Sequence, residues 1–331
     1  MTAVTASAPQ RARSSRIRWG DFAPFIALIV IFALGALINV NTLASANLIN
    51  VVTRSAFIAI VAVGATFVIA SGGLDLSVGS MMAFVTGVMI MIMNGLAPST
   101  GNWAIVIGAG AAVVVGALCG LLNGAIVTAG RIEPFIATLG TMGIFRAFIT
   151  FMTDGGSLPL DRSLREAFRP VYFGNLLGIP YPVLITLLVA LIGAFILYRT
   201  KYGRRLTAAG SNSEVARFSG VPVGQVRTLA YVIQGVCVAI AAICYVPRLG
   251  AATPTTGQLW ELQVITAVVI GGTLLRGGKG RIWGTVAGAL ILELIANIMV
   301  LSNMVSEYLV AAVQGAIIIL AMLAHRFTNS R

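Results

Sequence analysis

Long apolar stretches, separated by short polar segments, dominate the chain. About 20 apolar residues are needed to cross roughly 30 Å of hydrocarbon as a helix. By this criterion the pattern predicts ten transmembrane helices, at approximately 22–40, 54–71, 78–94, 104–128, 134–152, 181–198, 228–247, 261–275, 282–302 and 306–324. The eighth stretch is short, so a tilted, broken or re-entrant segment is one interpretation of it.

The distribution of Lys and Arg predicts the orientation of these helices. Ten crossings place both termini on one side of the membrane, and positive residues accumulate in cytoplasmic loops. With both termini inside, sixteen of the 22 Lys and Arg residues fall in cytoplasmic segments and five in outer ones, while Arg146 lies within a span. We therefore expect cytoplasmic termini, a large cytoplasmic loop at 199–227 and a large outer loop at 153–180.

The composition agrees with a membrane protein. The chain is 58% hydrophobic and only 10% charged, whereas soluble domains carry about 25% charged residues. The net charge of +12 lies mostly beside the apolar stretches, so topology explains it better than nucleic-acid binding. The three cysteines lie in apolar stretches and are interpreted as small buried side chains.

The domain organisation follows from this pattern. Residues 1–20 are predicted to be a disordered, basic cytoplasmic tail, 21–325 a single transmembrane domain and 326–331 a second cytoplasmic tail. The first apolar stretch is interpreted as a retained span, since Phe22–Ile38 exceeds the usual 7–15 residues of a signal-peptide core. Ala44-Ser45-Ala46 keeps a cleaved signal peptide as the alternative.

Two glycine-rich segments interrupt the apolar pattern. Gly72–Ser80 reads GGLDLSVGS, which suits a tight turn with Asp75 or Ser77 capping the next helix, or else a substrate contact. Gly271–Ala289 begins with the same Gly-Gly pair. An internal repeat, common in transporters, and convergent loop composition both explain this similarity.

Small and polar residues within the spans suggest packing sites and functional candidates. Gly116, Gly120 and Gly124, like Gly284 and Gly288, recur every four residues and predict close helix packing. Ionisable and amide side chains inside a membrane are functional candidates, and here they are Arg146, Glu261, Glu293, Asn123, Gln234, Asn297 and Gln314. Glu293 is one possible ion partner for Arg146.

The chain has no nucleotide-binding motif of its own. The only Gly-Lys pair, Gly278-Lys279, lacks the preceding glycine and the following Ser or Thr of a phosphate-binding loop. No catalytic residues and no metal site are predicted. If ATP drives this protein, another chain must hydrolyse it.

Four segments resemble one known family. They are SGGLDLSVGS at Ser71–Ser80, PFIATLGTM at Pro134–Met142, GSNSEVARFSGV at Gly210–Val221 and ELQVITAVVIGGTLLRGGKGRIWGTVAGAL at Glu261–Leu290. In this order they resemble the permease subunits of ribose-type ABC importers, which also serve xylose, galactose, arabinose and autoinducer uptake. The resemblance implies an all-α, multi-pass protein of the bacterial inner membrane.

The resemblance also implies partners. Two permeases, identical or different, would form the pathway, an extracytoplasmic binding protein would deliver the sugar, and separate ATP-binding subunits would carry the ATP and magnesium. This chain would hold no cofactor, and membrane lipid would surround it. The segment 201–223 looks like the element that couples the permease to the ATPase.

Residue assignments follow from the resemblance and the polar pattern together. The candidates for coupling to the ATPase subunit are Gly203, Gly210, Asn212, Ala216 and Gly220. The candidates for the translocation path or its gate are Asp75, Ser77, Phe135, Arg146 and Asn297.

Two other functions stay open at this point. A permease of the same superfamily could carry autoinducer, a nucleoside or a branched-chain amino acid. An ion-coupled secondary transporter would need a deep acidic site, for which Asp75 and Glu293 are the candidates.

Overall fold

The computed structural model describes residues 22–302, 309, 312 and 315–316. Within this part the chain is mainly helical, and seven helices are long and apolar enough to cross a membrane. They are α2 (Ser45–Ala70), α3 (Val78–Thr100), α4 (Trp103–Thr128), α5 (Pro134–Met152), α8 (Tyr181–Arg199), α11 (Val223–Leu249) and α13 (Ile282–Leu301).

Shorter elements complete the described part. The short helices are α1 (Ala23–Ile38), α6 (Arg162–Phe168), α7 (Pro170–Phe173), α9 (Lys201–Ser211), α10 (Ser213–Phe218) and α12 (Trp260–Ile270), with a 3₁₀ turn at Val40–Leu43. Two small antiparallel ribbons pair β1 (Leu158–Pro159) with β4 (Ala251–Ala252) and β2 (Asn175–Leu176) with β3 (Ile179–Pro180).

The seven long helices correspond to predicted spans two to seven and nine. The first and eighth predicted spans correspond to the shorter helices α1 and α12. The tenth, at 306–324, lies outside the continuously described part, as do Gln314 and both predicted tails. The count of ten crossings therefore stays a prediction.

Arg54 was predicted to lie in an outer segment, but the structure places it within a helix. Because α2 begins at Ser45 and not at residue 54, Arg54 lies within the helix. Its Nε lies 3.1 Å from Glu293 Oε1. Glu293 was the suggested partner of Arg146, so that suggestion is wrong.

The loops gather at two ends of the helix bundle. One end, called the basic end here, holds the segments 71–77, 129–133, 200–222 and 271–281. Arg227 Nε donates to Ser71 O at 3.1 Å, and Gly278 N to Ala70 O at 2.9 Å. At the opposite end, β1 of the long 153–180 loop pairs with β4. The loops that the charge pattern groups together thus share one end of the bundle.

Helix α2 forms the centre of the bundle. Every residue from Ser55 to Ala70 is buried, and α8, α11, α12 and α13 pack around it. The segment is apolar on all faces, as expected of a helix enclosed on every side. The three cysteines are free and buried, as predicted.

Glycines bring α4 and α11 into backbone contact. A Cβ at Gly116 would overlap the carbonyl of Gly235, and one at Gly120 would overlap that of Tyr231. Without a hydrophobic force between helices in lipid, such close approach supplies the packing energy. The predicted packing role of this glycine face is confirmed, and the pair Gly284 and Gly288 acts likewise between α13 and α12.

Helix α12 covers only half of a crossing. Its 11 residues span roughly 16 Å at about 1.5 Å per residue, against about 30 Å of hydrocarbon. The preceding segment 253–259 is not helical and runs inward from β4, which lies at the opposite end. Of the three interpretations left open for this stretch, the structure supports a broken crossing.

We expect Gly120→Ala to destabilise the bundle, because the new methyl group would force α4 away from the Tyr231 carbonyl. Overpacking of this kind costs about 1–3 kcal/mol. Gly110→Ala is the matched control, since no atom lies within 4 Å of a Cβ at that position of the same helix. Thermal unfolding of the purified variants measures the difference, and equal melting temperatures would contradict the packing role.

Candidate coupling and translocation site

Two Gly-Gly turns of the same geometry end α2 and α12. Gly72 and Gly272 have φ angles of 83° and 84°, a left-handed conformation that glycine adopts without strain. In each turn the following residue closes the helix, with Gly73 N donating to Val68 O at 3.0 Å and Thr273 N to Val268 O at 3.2 Å. The similarity seen in the sequence therefore extends to the hydrogen bonds.

Helix α9 packs its backbone, through Gly210, against the end of α2 and against the loop that follows α12. A Cβ at Gly210 would overlap the carbonyl of Ala70 and lie 2.6 Å from the amide nitrogen of Gly278. Gly277 lies equally close to Gly72, since a Cβ there would be 2.9 Å from the Gly72 nitrogen. Three segments distant in sequence therefore meet without intervening side chains.

The other coupling candidates shape the segment around Gly210. Gly203 allows α9 to fold closely against the last turn of α8, where a Cβ would overlap the Leu197 carbonyl. The Asn212 side chain accepts from the amides of Glu214 and Val215, both at 3.0 Å, and so caps α10. Ala216 is the buried residue of α10. Gly220 ends this helix with φ 78°.

The surface of α10 carries an apolar feature that the sequence pattern did not single out. Phe218 is 86% exposed, and Val215, one turn earlier, is also exposed. Exposed apolar residues grouped in this way on a polar surface often mark a protein contact. The spacing of apolar residues in the sequence did not predict this surface, because a six-residue helix is too short to show a periodic face.

Asp75 and Ser77 lie together in a buried polar cluster with Asn123 of α4. Asp75 Oδ1 accepts from Ser77 N at 2.9 Å and from Ser77 Oγ at 2.6 Å, and Asn123 Nδ2 donates to Ser77 Oγ at 2.8 Å. Asp75 Oδ2 has no hydrogen-bond partner among the described residues. Burial raises the pKa of the Asp75 carboxyl, while the bonds from Ser77 and Asn123 oppose this shift.

The loop that carries Asp75 is fixed by neighbouring helices. The Tyr231 hydroxyl of α11 donates to Leu74 O at 3.1 Å, and Leu76 N donates to Thr138 Oγ1 of α5 at 3.1 Å. Tyr231 was not among the sequence candidates. A buried tyrosine in an apolar stretch usually has a hydrogen-bond partner for its hydroxyl, and that was the available signal.

Arg146 of α5 supports the broken crossing. Its Nη1 donates to the carbonyls of Pro254 and Thr256, the latter at 2.9 Å. Backbone at membrane depth must be satisfied by protein or water, and Arg146 supplies this. Next to it, Gly79 in the first turn of α3 allows Gly257 to approach, and a Cβ at Gly79 would lie 2.6 Å from Glu261 Oε2.

Phe135 and Asn297 lie apart from these groups. Phe135 is exposed in the first turn of α5 at the basic end. Asn297 forms a reciprocal amide pair with Asn47 across α13 and α2, at 2.8 and 3.0 Å. The structure therefore brings together Asp75 with Ser77, and Arg146 with the broken crossing, but does not assemble all five candidates into one site.

The chain also matches known proteins. A family model described as the permease component of the branched-chain amino acid transport system covers residues 47–322. The chain is 35% identical to the ribose import permease protein RbsC of Haemophilus influenzae over 93% of both chains. It is 38% identical to the Escherichia coli K12 RbsC over 90% of this chain and 91% of that one. To the D-allose transport system permease protein AlsC of that strain, identity is 34% over 94% and 93%.

The polytopic helical bundle, together with these matches over most of the chain, identifies a membrane transport protein. The chain belongs to the family of branched-chain amino acid transport system permease components, and the resemblance to sugar ABC importer permeases is confirmed.

We expect Gly210→Ala to loosen the contact of α9 with the end of α2 and with the loop between α12 and α13, because the methyl group would displace the backbone of Ala70 or Gly278. Amide hydrogen exchange should become faster at 70–73 and 276–279, and the melting temperature should fall. Gly224→Ala is the control at the same end, since its Cβ would lie 3.8 Å from the nearest atom, in Thr128. Unchanged exchange in Gly210→Ala would contradict the contact.

Proposed function

We propose that this chain is the membrane-spanning subunit of an ATP-driven importer that carries a monosaccharide across the bacterial inner membrane. A separate ATPase binds at the basic end, which faces the cytoplasm. A second permease copy, or a similar permease, completes the pathway. The chain holds no cofactor itself, and ATP and magnesium belong to the ATPase subunit.

The contact of Gly210 with the end of α2 and with Gly278, in the loop between α12 and α13, carries the coupling part of this proposal. Segment 201–220 lies at the basic end, where α10 exposes Val215 and Phe218 to a soluble partner. Its backbone packs directly on the end of α2 and on the loop between α12 and α13. A displacement of α9 therefore moves the α2–α3 and α12–α13 hairpins together. Contact through backbone atoms leaves little room for side chains to absorb the motion.

The two hairpins connect this movement to the interior of the bundle. The loop 71–77 leads from the Gly-Gly turn to the Asp75 cluster and then to Gly79, which touches the broken crossing. Arg146 holds that crossing from α5. We infer that the path opens where α3, α5 and the segment 253–259 meet, and that Arg146 and Asp75 belong to its gate.

The opposite end supports a binding-protein partner. One cavity of about 310 Å³ there is lined by three arginines and one carboxylate, namely Arg165, Arg169, Arg248 and Glu166. Arg248 stacks over the rings of Tyr172 and Tyr245, at 6.0 and 5.8 Å from their centroids. The topological bias disfavours arginine on the outer side, so a cluster there suits an acidic surface of an extracytoplasmic protein that delivers the sugar.

The assignment of a sugar as substrate rests on the relatives. The ribose and D-allose permeases cover nearly the whole chain, while the family description names branched-chain amino acids. We therefore propose a monosaccharide, with an amino acid, a nucleoside or autoinducer as the alternative substrate classes.

We expect uptake of the sugar to require the partner ATPase. In proteoliposomes holding the permease, the ATPase and the binding protein, radiolabelled ribose, allose and arabinose should each be tested with and without ATP inside. At least one sugar should accumulate only with ATP, and a protonophore should leave that uptake unchanged. Uptake without ATP that a protonophore abolishes would instead indicate ion coupling, with Asp75 as the acidic candidate because Glu293 is paired with Arg54.

We expect Phe218→Ala to weaken binding of the ATPase without altering the fold, because the side chain is exposed and packs little within the bundle. Loss of a buried aromatic contact at an interface often costs 2 kcal/mol or more, which is roughly a thirtyfold change in affinity. Copurification of the ATPase with the tagged permease measures this. Leu177→Ala, which changes an exposed apolar residue at the opposite end, is the control and should retain the ATPase.

Equal copurification of the ATPase with both variants, at matched melting temperatures, would exclude α10 as the docking site.

A further inference from the structure

Three arginines from separate elements line one cavity at the basic end. Arg131 lies in the loop between α4 and α5, Arg217 in α10 and Arg227 in α11, and the cavity between them measures about 600 Å³. One carboxylate, that of Glu133, also lines the cavity. The positive-inside bias explains why arginines lie at this end, but not why three of them converge on one space.

The geometry of Arg227 favours an anion in this cavity. Its Nε donates to Ser71 O at 3.1 Å, which holds the guanidinium at the cavity wall. The rest of the wall comes largely from backbone and small or apolar side chains, namely Val127, Thr128, Ile132, Pro134, Val223 and Gly224. The cavity therefore presents positive charge in excess of its single carboxylate.

An apolar groove continues from the cavity along the outside of α4 and α11. It measures about 470 Å³ and shares Thr128 and Gly224 with the cavity. Leu121 and Leu229 line it and are 46% and 44% exposed. Both lie on membrane-spanning helices, so this surface faces lipid or another membrane helix.

We propose that the cavity and the groove together bind one anionic phospholipid. The phosphate of the headgroup lies among Arg131, Arg217 and Arg227, and an acyl chain follows the groove between α4 and α11. Free phosphate would use only the cavity, and an acidic protein side chain would not need the groove. The pairing of a cationic cavity with an adjoining apolar channel is the feature that selects a lipid.

This inference does not depend on the proposed transport activity. It requires only that α4 and α11 span the membrane. The lipid would lie beside α10 and the start of α11, so its binding would stabilise the segment that the proposed function assigns to coupling.

The test is native mass spectrometry of the full-length permease in detergent, titrated with dioleoylphosphatidylglycerol or dioleoylphosphatidylcholine. We expect tight binding of one phosphatidylglycerol and weaker binding of phosphatidylcholine. Arg131→Gln combined with Arg217→Gln should weaken phosphatidylglycerol binding by roughly tenfold to thirtyfold, since each basic residue near an anionic headgroup contributes substantially to affinity. Arg199→Gln with Arg276→Gln removes the same charge at the same end and should leave it unchanged.

A variant in the groove separates the two possible sources of phosphate. Leu229→Gln should weaken phosphatidylglycerol binding, and inorganic phosphate at matched ionic strength should not displace the lipid. The lysine pair Arg131→Lys and Arg217→Lys should retain most of the binding, which distinguishes lost charge from lost folding.

Three results would overturn the proposal. The first is equal weakening by the control pair, which would mean a general effect of surface charge. The second is equal affinity for the two lipids. The third is displacement by inorganic phosphate with no effect of Leu229→Gln, which would reduce the site to a phosphate site.

Discussion

Contact between helix backbones, made where glycines face one another, is the interaction on which this structure depends. In lipid the hydrophobic effect does not drive helices together, so close packing must do so. Gly116 meets Gly235 between α4 and α11, and Gly271 meets Gly284 between α12 and α13. Each contact brings two helices closer than side chains would allow. The bundle can therefore be held together with few polar bonds between its helices.

The same kind of backbone contact recurs at the basic end, where we propose that it couples the permease to the ATPase. Gly210 lies against the Ala70 carbonyl and the Gly278 amide, and that amide itself donates to Ala70 O at 2.9 Å. Backbone contact leaves little room for side chains to absorb a displacement of this segment, which is why we propose it as the coupling element. The proposal thus assigns to mechanical coupling the same kind of close contact that stabilises the bundle within the membrane.

The length of the apolar stretches in the sequence predicted most of the helices, because a span must be long and apolar wherever it lies. The sequence pattern also predicted the glycine faces of α4 and α13, since four-residue spacing marks a single helix side. It could not locate the partner of Glu293, because ion pairing depends on which helices become neighbours. The sequence pattern likewise did not identify Phe218, because the exposure of this side chain depends on how α10 packs against the bundle. Whether the candidates for the path act together was beyond a one-dimensional pattern, and Asn297 lies apart from the others.

The half-buried Arg146 and the backbone of the broken crossing satisfy each other's polar groups. A guanidinium within a membrane domain is costly unless it is paired or solvated, and so are carbonyls released where a helix stops half-way. Arg146 donates to the carbonyls of Pro254 and Thr256, so one contact offsets both costs. Glu261, in the first turn of α12, adds a carboxylate whose charge acts on Arg146. Because Arg146 and these carbonyls satisfy each other, a movement that separates α5 from the segment 253–259 would leave polar groups unpaired on both sides. Water or a hydroxyl-rich solute could replace the lost bonds, and this is the physical basis on which we propose Arg146 as part of a gate.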